Sequence, residues 1–179
     1  MKRMIQIDLQ RVLRDKVNLL LLGFIYIMVF RLLWIGDITS FYGYPFLHQI
    51  FLFWSVLLGY RLSAQESEVG MKDWVEVSPQ RWRTAISHIV VVVLFTLGVT
   101  ALAAVMSVAI SFIRNLPGAV IREGVSSLFL YYGLGMVITG CLGVLIGRLI
   151  PHKAGYLVAL MGAFAMGEMG FRFIKSIAT

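Results

Sequence analysis

The chain has 179 residues, of which 59% are hydrophobic and only 14% charged, with a mean hydropathy of +0.85. So little polar surface cannot clothe a soluble core of this size, which excludes a water-soluble globular domain and points to an all-α, polytopic membrane protein. Sixteen Lys and Arg against nine Asp and Glu leave a net charge of +7, which attraction to anionic lipid headgroups accounts for without any nucleic acid partner.

Residues 1–16 mix Met4, Ile5, Leu9, Val12 and Leu13 with Lys2, Arg3, Arg11 and Arg14. At 100° per residue this gives an apolar arc and a basic arc suited to an interfacial helix, although Ile7 falls on the polar side and Asp8 on the apolar side. About five apolar runs follow that meet or approach the length needed to span about 30 Å of hydrocarbon: Val17–Gly36, Phe46–Leu62, Ala85–Ile113, Val125–Gly147 and Ala154–Phe171. The first lacks a small-residue cleavage site after Trp34 and is expected to be retained. Short turns at Gly36–Pro45 and Ile113–Gly124, the latter signalled by Pro117-Gly118, are expected outside, with a tight Arg148–Lys153 turn inside.

Lys and Arg set the orientation. With the N-terminus cytoplasmic, the inside holds Lys2, Arg3, Arg11, Arg14, Lys16, Arg61, Lys72, Arg81, Arg83, Arg148 and Lys153, against Arg31, Arg114, Arg122, Arg172 and Lys175 outside. The third run is longer than a bilayer requires, so its start near Arg83–His88 is expected to project into the cytoplasm or the helix to tilt.

Small residues recur every four positions in two places. Gly135, Thr139, Gly143 and Gly147 line one face of the fourth run, and Gly155, Ala159, Ala163 and Gly167 line one face of the fifth. Such ribbons let backbones approach closely, and the short connection predicts that these two runs pack as an antiparallel pair.

The sequence holds no G-x-x-x-x-G-K-[ST], H-E-x-x-H, G-x-S-x-G or C-x-x-C pattern, so no enzymatic role and no metal or cofactor site is expected on this chain. Cys141 is a lone cysteine suited to packing. His48, His88 and His152 raise a haem-ligating, cytochrome-type anchor as an alternative, but His48 and His88 start neighbouring runs on opposite sides. An Arg31–Glu168 pair at outer depth is conceivable, and mid-membrane acids that a secondary transporter would need are scarce.

The long polar island at residues 63–83 separates the second and third runs. Pro79 suits the first turn of a helix with Ser78 as its cap, and Trp74, Val75 and Val77 beside Glu66, Glu68, Asp73 and Glu76 give a short amphipathic segment able to dock in a groove. The alternative is a solvated loop on the headgroups with Trp74 and Trp82 as anchors.

At this island the sequence resembles the permease subunits of ABC transporters of the type-2 export class, which place here an acidic stretch, a Gly, an acidic residue three positions on and a small-Pro pair followed by a basic residue. Glu66, Glu68, Gly70, Asp73, Ser78, Pro79 and Arg81 stand at matching positions. The glycine-rich 140–150 and the N-terminal segment are similar to that family's fourth span and elbow helix. The resemblance implies that Glu66, Glu68, Gly70, Asp73, Trp74, Pro79 and Arg81 form a cytoplasmic coupling helix. It implies an ATP-binding cassette subunit as partner, carrying ATP and Mg, and a second permease subunit with which this one dimerises in a bacterial plasma membrane to export a solute. The family usually has six spans where five are counted here. An accessory scaffold of a membrane complex is a further alternative.

Overall fold

The computed structural model describes residues 2–35, 45–68, 81–150 and 154–165, and among these every regular element is a helix. Helix α1 (Lys2–Arg14) leads into α2 (Lys16–Ile35), then come α3 (Pro45–Glu68), α4 (Arg81–Ile113) and α5 (Gly118–Ser127). A π-helical segment, Leu128–Gly133, joins α5 to α6 (Leu134–Leu149), and α7 covers Ala154–Ala165. Three of the described helices are long and apolar enough to cross a membrane: Lys16–Ile35, Trp82–Ile113 and the continuous Gly118–Leu149. Their outward faces carry Leu20, Ile27, Leu102, Phe112, Leu130 and Leu145, all largely exposed. Water does not tolerate so much contiguous apolar surface, whereas lipid does, so the chain is membrane-embedded.

The break between α1 and α2 is made by Asp15. Its Oδ1 accepts the backbone N–H of Val17 at 3.0 Å and of Asn18 at 3.4 Å, capping the first turn of α2. Helix α4 ends in a left-handed cap. Asn115 has φ 53°, its N–H donates to the Phe112 carbonyl at 3.1 Å, and the Leu116 N–H donates to the Ser111 carbonyl at 3.0 Å. This is the Schellman arrangement, with asparagine in the place most often held by glycine. Pro117 follows at φ −60°, its carbonyl accepting the N–H groups of Val120 and Ile121, so helix resumes at once. The connection expected over Ile113–Gly124 is therefore short, and its second half is already helical.

Helix α3 sits at the centre. Trp54, Phe51, Leu47 and Val56 are fully buried on it, enclosed by α1, α2, α4 and α6. It continues as helix to Glu68, beyond the Leu62 at which the apolar run ends, since a helix leaving a membrane keeps its own hydrogen bonds. The α3–α6 contact is made by glycines: a Cβ on Gly59 would overlap the Gly140 carbonyl, one on Gly143 would overlap the Val56 carbonyl, and one on Gly147 would lie 2.7 Å from the Tyr60 oxygen. The glycines of the fourth run thus meet α3, where their spacing suggested the fifth run as partner, and Ile146 beside them packs against the cluster that holds Ala159 and Ala163. Ala159 and Ala163 on α7 also turn toward α3, clustering with Val56, Tyr60 and Ala64. Gly135 lies against Leu52 and His48. Gly155 is buried over the Ile150 carbonyl at the turn into α7, and Gly167 lies outside the described residues.

Four buried hydroxyls along the apolar length of α4 are satisfied within the helix. Thr96, Thr100, Ser107 and Ser111 each donate to the carbonyl four residues earlier, at 2.6 to 2.9 Å. Each of these four donors thus has an acceptor on its own helix. Ser55 on α3 donates to the Met136 carbonyl on α6, and Tyr26 on α2 donates to the Val99 carbonyl at 2.9 Å.

Candidate functional site: a buried polar network at one end of the bundle

The polar island leaves α3 and enters α4 at the same end of the bundle. Glu66 and Glu68 lie on the last turn of α3 and Arg81 opens α4, while Gly70, Asp73, Trp74 and Pro79 lie outside the described residues, as do Ser78 and the expected coupling helix. Within the described flanks, Trp82 is 70% exposed, and the next turn dives into the protein with Thr84, Ala85, Ser87 and His88 buried.

That turn meets α1. Ser87 Oγ donates to Asp8 Oδ2 at 2.7 Å, His88 Nε2 lies 3.7 Å from the same oxygen, and Arg11 Nη1 lies 3.6 Å from Asp8 Oδ1. The other ring nitrogen of His88, Nδ1, is 3.4 Å from Ser63 Oγ on α3. One carboxylate, 6% exposed, therefore joins the first helix to α4, and through His88 to the last turns of α3. A buried carboxylate costs several kcal/mol unless partners compensate, and here a hydroxyl, an imidazole and a guanidinium surround it.

Two further links extend the network. Arg148, near the end of α6, donates from Nη2 to Thr84 Oγ1 at 2.7 Å, tying α6 to the start of α4. Arg61 on α3 pairs with Asp15, the cap of α2, at 2.9 Å. Deeper in, Trp54 Nε1 donates to Asn18 Oδ1 at 2.7 Å while Asn18 Nδ2 donates to the Val12 carbonyl at 3.2 Å, so α3 also holds the α1–α2 corner. Asp8, Ser87, His88, Ser63, Thr84, Arg148, Arg61 and Asp15 are thus linked across helices at the end where α3 finishes and α4 begins.

The sequence pattern named the island but not its anchor. Asp8 on the apolar arc of α1 was the available signal: it is buried where Ile7 beside it is 45% exposed, because its arc faces a polar patch of α4 and not lipid. Ser87, His88, Thr84 and Asn18 gave no comparable sign. Of the three histidines, His48 packs edge-on to Tyr132 at 5.2 Å and His88 belongs to the network, while His152 lies outside the described residues. Among the described residues no three His, Cys, Asp or Glu side chains cluster to hold a metal ion. Cys141 is partly buried on α6. Of the conceivable Arg31–Glu168 pair, Glu168 lies outside the described residues.

At the opposite end Arg114 Nη1 donates to the Leu33 carbonyl at 3.2 Å, placing a cation on the C-terminal turn of α2 where the helix dipole favours it. Comparison with protein-family models, curated proteins and solved structures found no match to this chain.

Proposed function

We propose that this chain is the transmembrane subunit of an ATP-driven exporter. It pairs with a second permease subunit, the same or related, in a bacterial plasma membrane, and takes work through residues 63–83 from a separate ATP-binding cassette subunit that holds ATP and Mg. The cargo class is a hydrophobic, amphipathic or peptide solute. In this reading α2, α3, α4, the α5–α6 helix and α7 are five spans, the N-terminus is cytoplasmic, and α1 is the interfacial elbow.

The observation that carries the proposal is the network joining Asp8, Ser87, His88 and Ser63, with Arg148–Thr84 beside it. A push applied to a segment between α3 and α4 is useful only if both flanks are bound to the rest of the bundle. Hydrogen-bonded buried groups supply such a stiff attachment, because shearing them exposes unpaired polar atoms at about 1–3 kcal/mol each. The motif of Glu66, Glu68, Gly70, Asp73, Pro79 and Arg81 gives the partner its class.

The test is isolation of the full chain from its native membrane in mild detergent, with identification of the proteins that co-elute. An ATPase is expected, and its yield should fall sharply when Gly70 and Asp73 are replaced together. Unchanged partner recovery and unchanged transport in that double variant would refute the assignment. Orientation is checked separately: in a Cys141→Ser background, cysteines placed at Arg83 and at Arg122 should label with impermeant reagent from opposite sides of the membrane.

A further inference from the structure

A cleft opens beside the polar network, between the α1–α2 corner, α3 and α7. Its charged end is formed by Arg11, Asp15 and Arg61, and its walls by Leu21, Trp54 and Leu57. The composition changes steeply along it. Arg61 and Trp54 are seven residues apart on α3, which is about 10 Å of helix rise, and over that distance the lining passes from guanidinium to leucine and tryptophan side chains, with Asn18 beside Trp54 as the polar residue there. On the facing helix the same change runs from Asp15, ahead of the apolar span, to Leu21 within it.

We infer that this cleft binds one anionic phospholipid, its phosphate held by Arg11 and Arg61 and one acyl chain lying along Leu21, Leu57 and Tyr156, outside the buried Trp54. Charge selects the headgroup: Arg11, Arg14, Lys16 and Arg61 at this corner stand against two carboxylates, Asp8 and Asp15. Each guanidinium gives Nη1 to a carboxylate and still carries other N–H donors in a fork that matches phosphate oxygens. Both side chains remain reachable, Arg11 at 47% and Arg61 at 38% exposure. Basic pockets between spans at a membrane surface are the sites where acidic headgroups gather, and a zwitterionic lipid would leave the surplus charge uncompensated. The inference needs only the membrane placement of the helices and no partner protein.

Trp54 in the cleft wall is the reporter. The full chain carrying Trp34→Phe, Trp74→Phe and Trp82→Phe keeps Trp54 as its sole tryptophan and is reconstituted in phosphatidylcholine vesicles. A rising fraction of the lipid is then replaced by dibrominated phosphatidylglycerol or dibrominated phosphatidylcholine, and quenching is read. Quenching should rise at far lower mole fraction with the glycerol lipid. Loss of about one favourable charge contact in Arg11→Gln should weaken that preference roughly fivefold, and Arg11→Gln with Arg61→Gln roughly thirtyfold. Arg61→Lys, which keeps the charge, should retain most of it. Equal quenching by both lipids in the parent, or a full preference surviving in Arg11→Gln, overturns the inference. Abolition of the preference by inorganic phosphate also overturns it, because the site would then take the free anion and not the lipid.

Discussion

Asp8 and Ser87 are 79 residues apart in the chain and joined at 2.7 Å in the fold, the one on the first helix and the other near the start of α4. The contact is buried, and the same carboxylate also lies near His88 and Arg11. Asp8→Ala removes the shared acceptor and strands polar groups on two helices. It should cost about 1–3 kcal/mol, and Asp8→Asn, which can still accept from Ser87, should cost less. Reversible unfolding in mixed micelles with increasing denaturing detergent measures both; equal stability of parent and Asp8→Ala would show that the contact contributes nothing.

Gly143 and Gly98 should respond oppositely to the same added methyl. On Gly143 a Cβ would overlap the Val56 carbonyl on α3, so Gly143→Ala must separate two helices and should destabilise by about 1–3 kcal/mol. On Gly98 a Cβ meets nothing within 4 Å, and Gly98→Ala should stabilise by about 0.5–1 kcal/mol through helix propensity. Thermal unfolding of the two purified variants checks the pair, and matching shifts would mean that the α3–α6 contact is looser than described.

Asn115 holds φ 53° at the end of α4. Asn115→Gly should be neutral or mildly stabilising, whereas Asn115→Val forces a β-branched residue into the left-handed region at a cost of about 1–2 kcal/mol. Since the turn between α4 and α5 depends on that cap, the valine variant should also become more sensitive to proteolysis there, and an unaltered digestion pattern would tell against the cap's role.

Trp54→Phe keeps an aromatic ring, though a smaller one, and removes the donor to Asn18 Oδ1. Asn18 is 6% exposed and also holds the Val12 carbonyl, so the loss should amount to about 1–2 kcal/mol and loosen α1 from the bundle. Amide exchange within residues 4–14 should accelerate while that of α6 stays put; uniform exchange across both would place the effect elsewhere.

The helical class and the approximate positions of the apolar runs were open to a sequence reader because membrane burial imposes apolar length, a local property. Helix ends were harder. Hydropathy placed the end of the second run at Leu62, whereas the backbone stays helical to Glu68, and residues 118–124 read as a connection although Pro117 starts a helix. Spacing marked the Gly143–Gly147 face but could not name what it touches: periodicity gives a direction around one helix, and the partner, α3 with its own Gly59, is set by the whole packing. The Asp8–His88–Ser63 association was invisible for the same reason, each member being an ordinary residue until three helices bring them together. Of the coupling motif, Glu66, Glu68 and Arg81 fall on described helix ends, and Gly70, Asp73, Trp74 and Pro79 fall outside them.

The π turn at Leu128–Gly133 sets up a phase slip along the 32-residue helix that contains it. One additional residue taken into the winding rotates everything beyond it by about 100° relative to an uninterrupted α-helix. Stripes that would have lined up from Gly118 to Leu149 are therefore offset, so that Gly124 and Ser127 before the slip and Gly140, Gly143 and Gly147 after it can each turn inward. Winding the same residues as an uninterrupted α-helix would swing the glycine face away from α3 and present bulky side chains in its place, whereas deleting one residue within the π turn would straighten the helix and leave that face where it is.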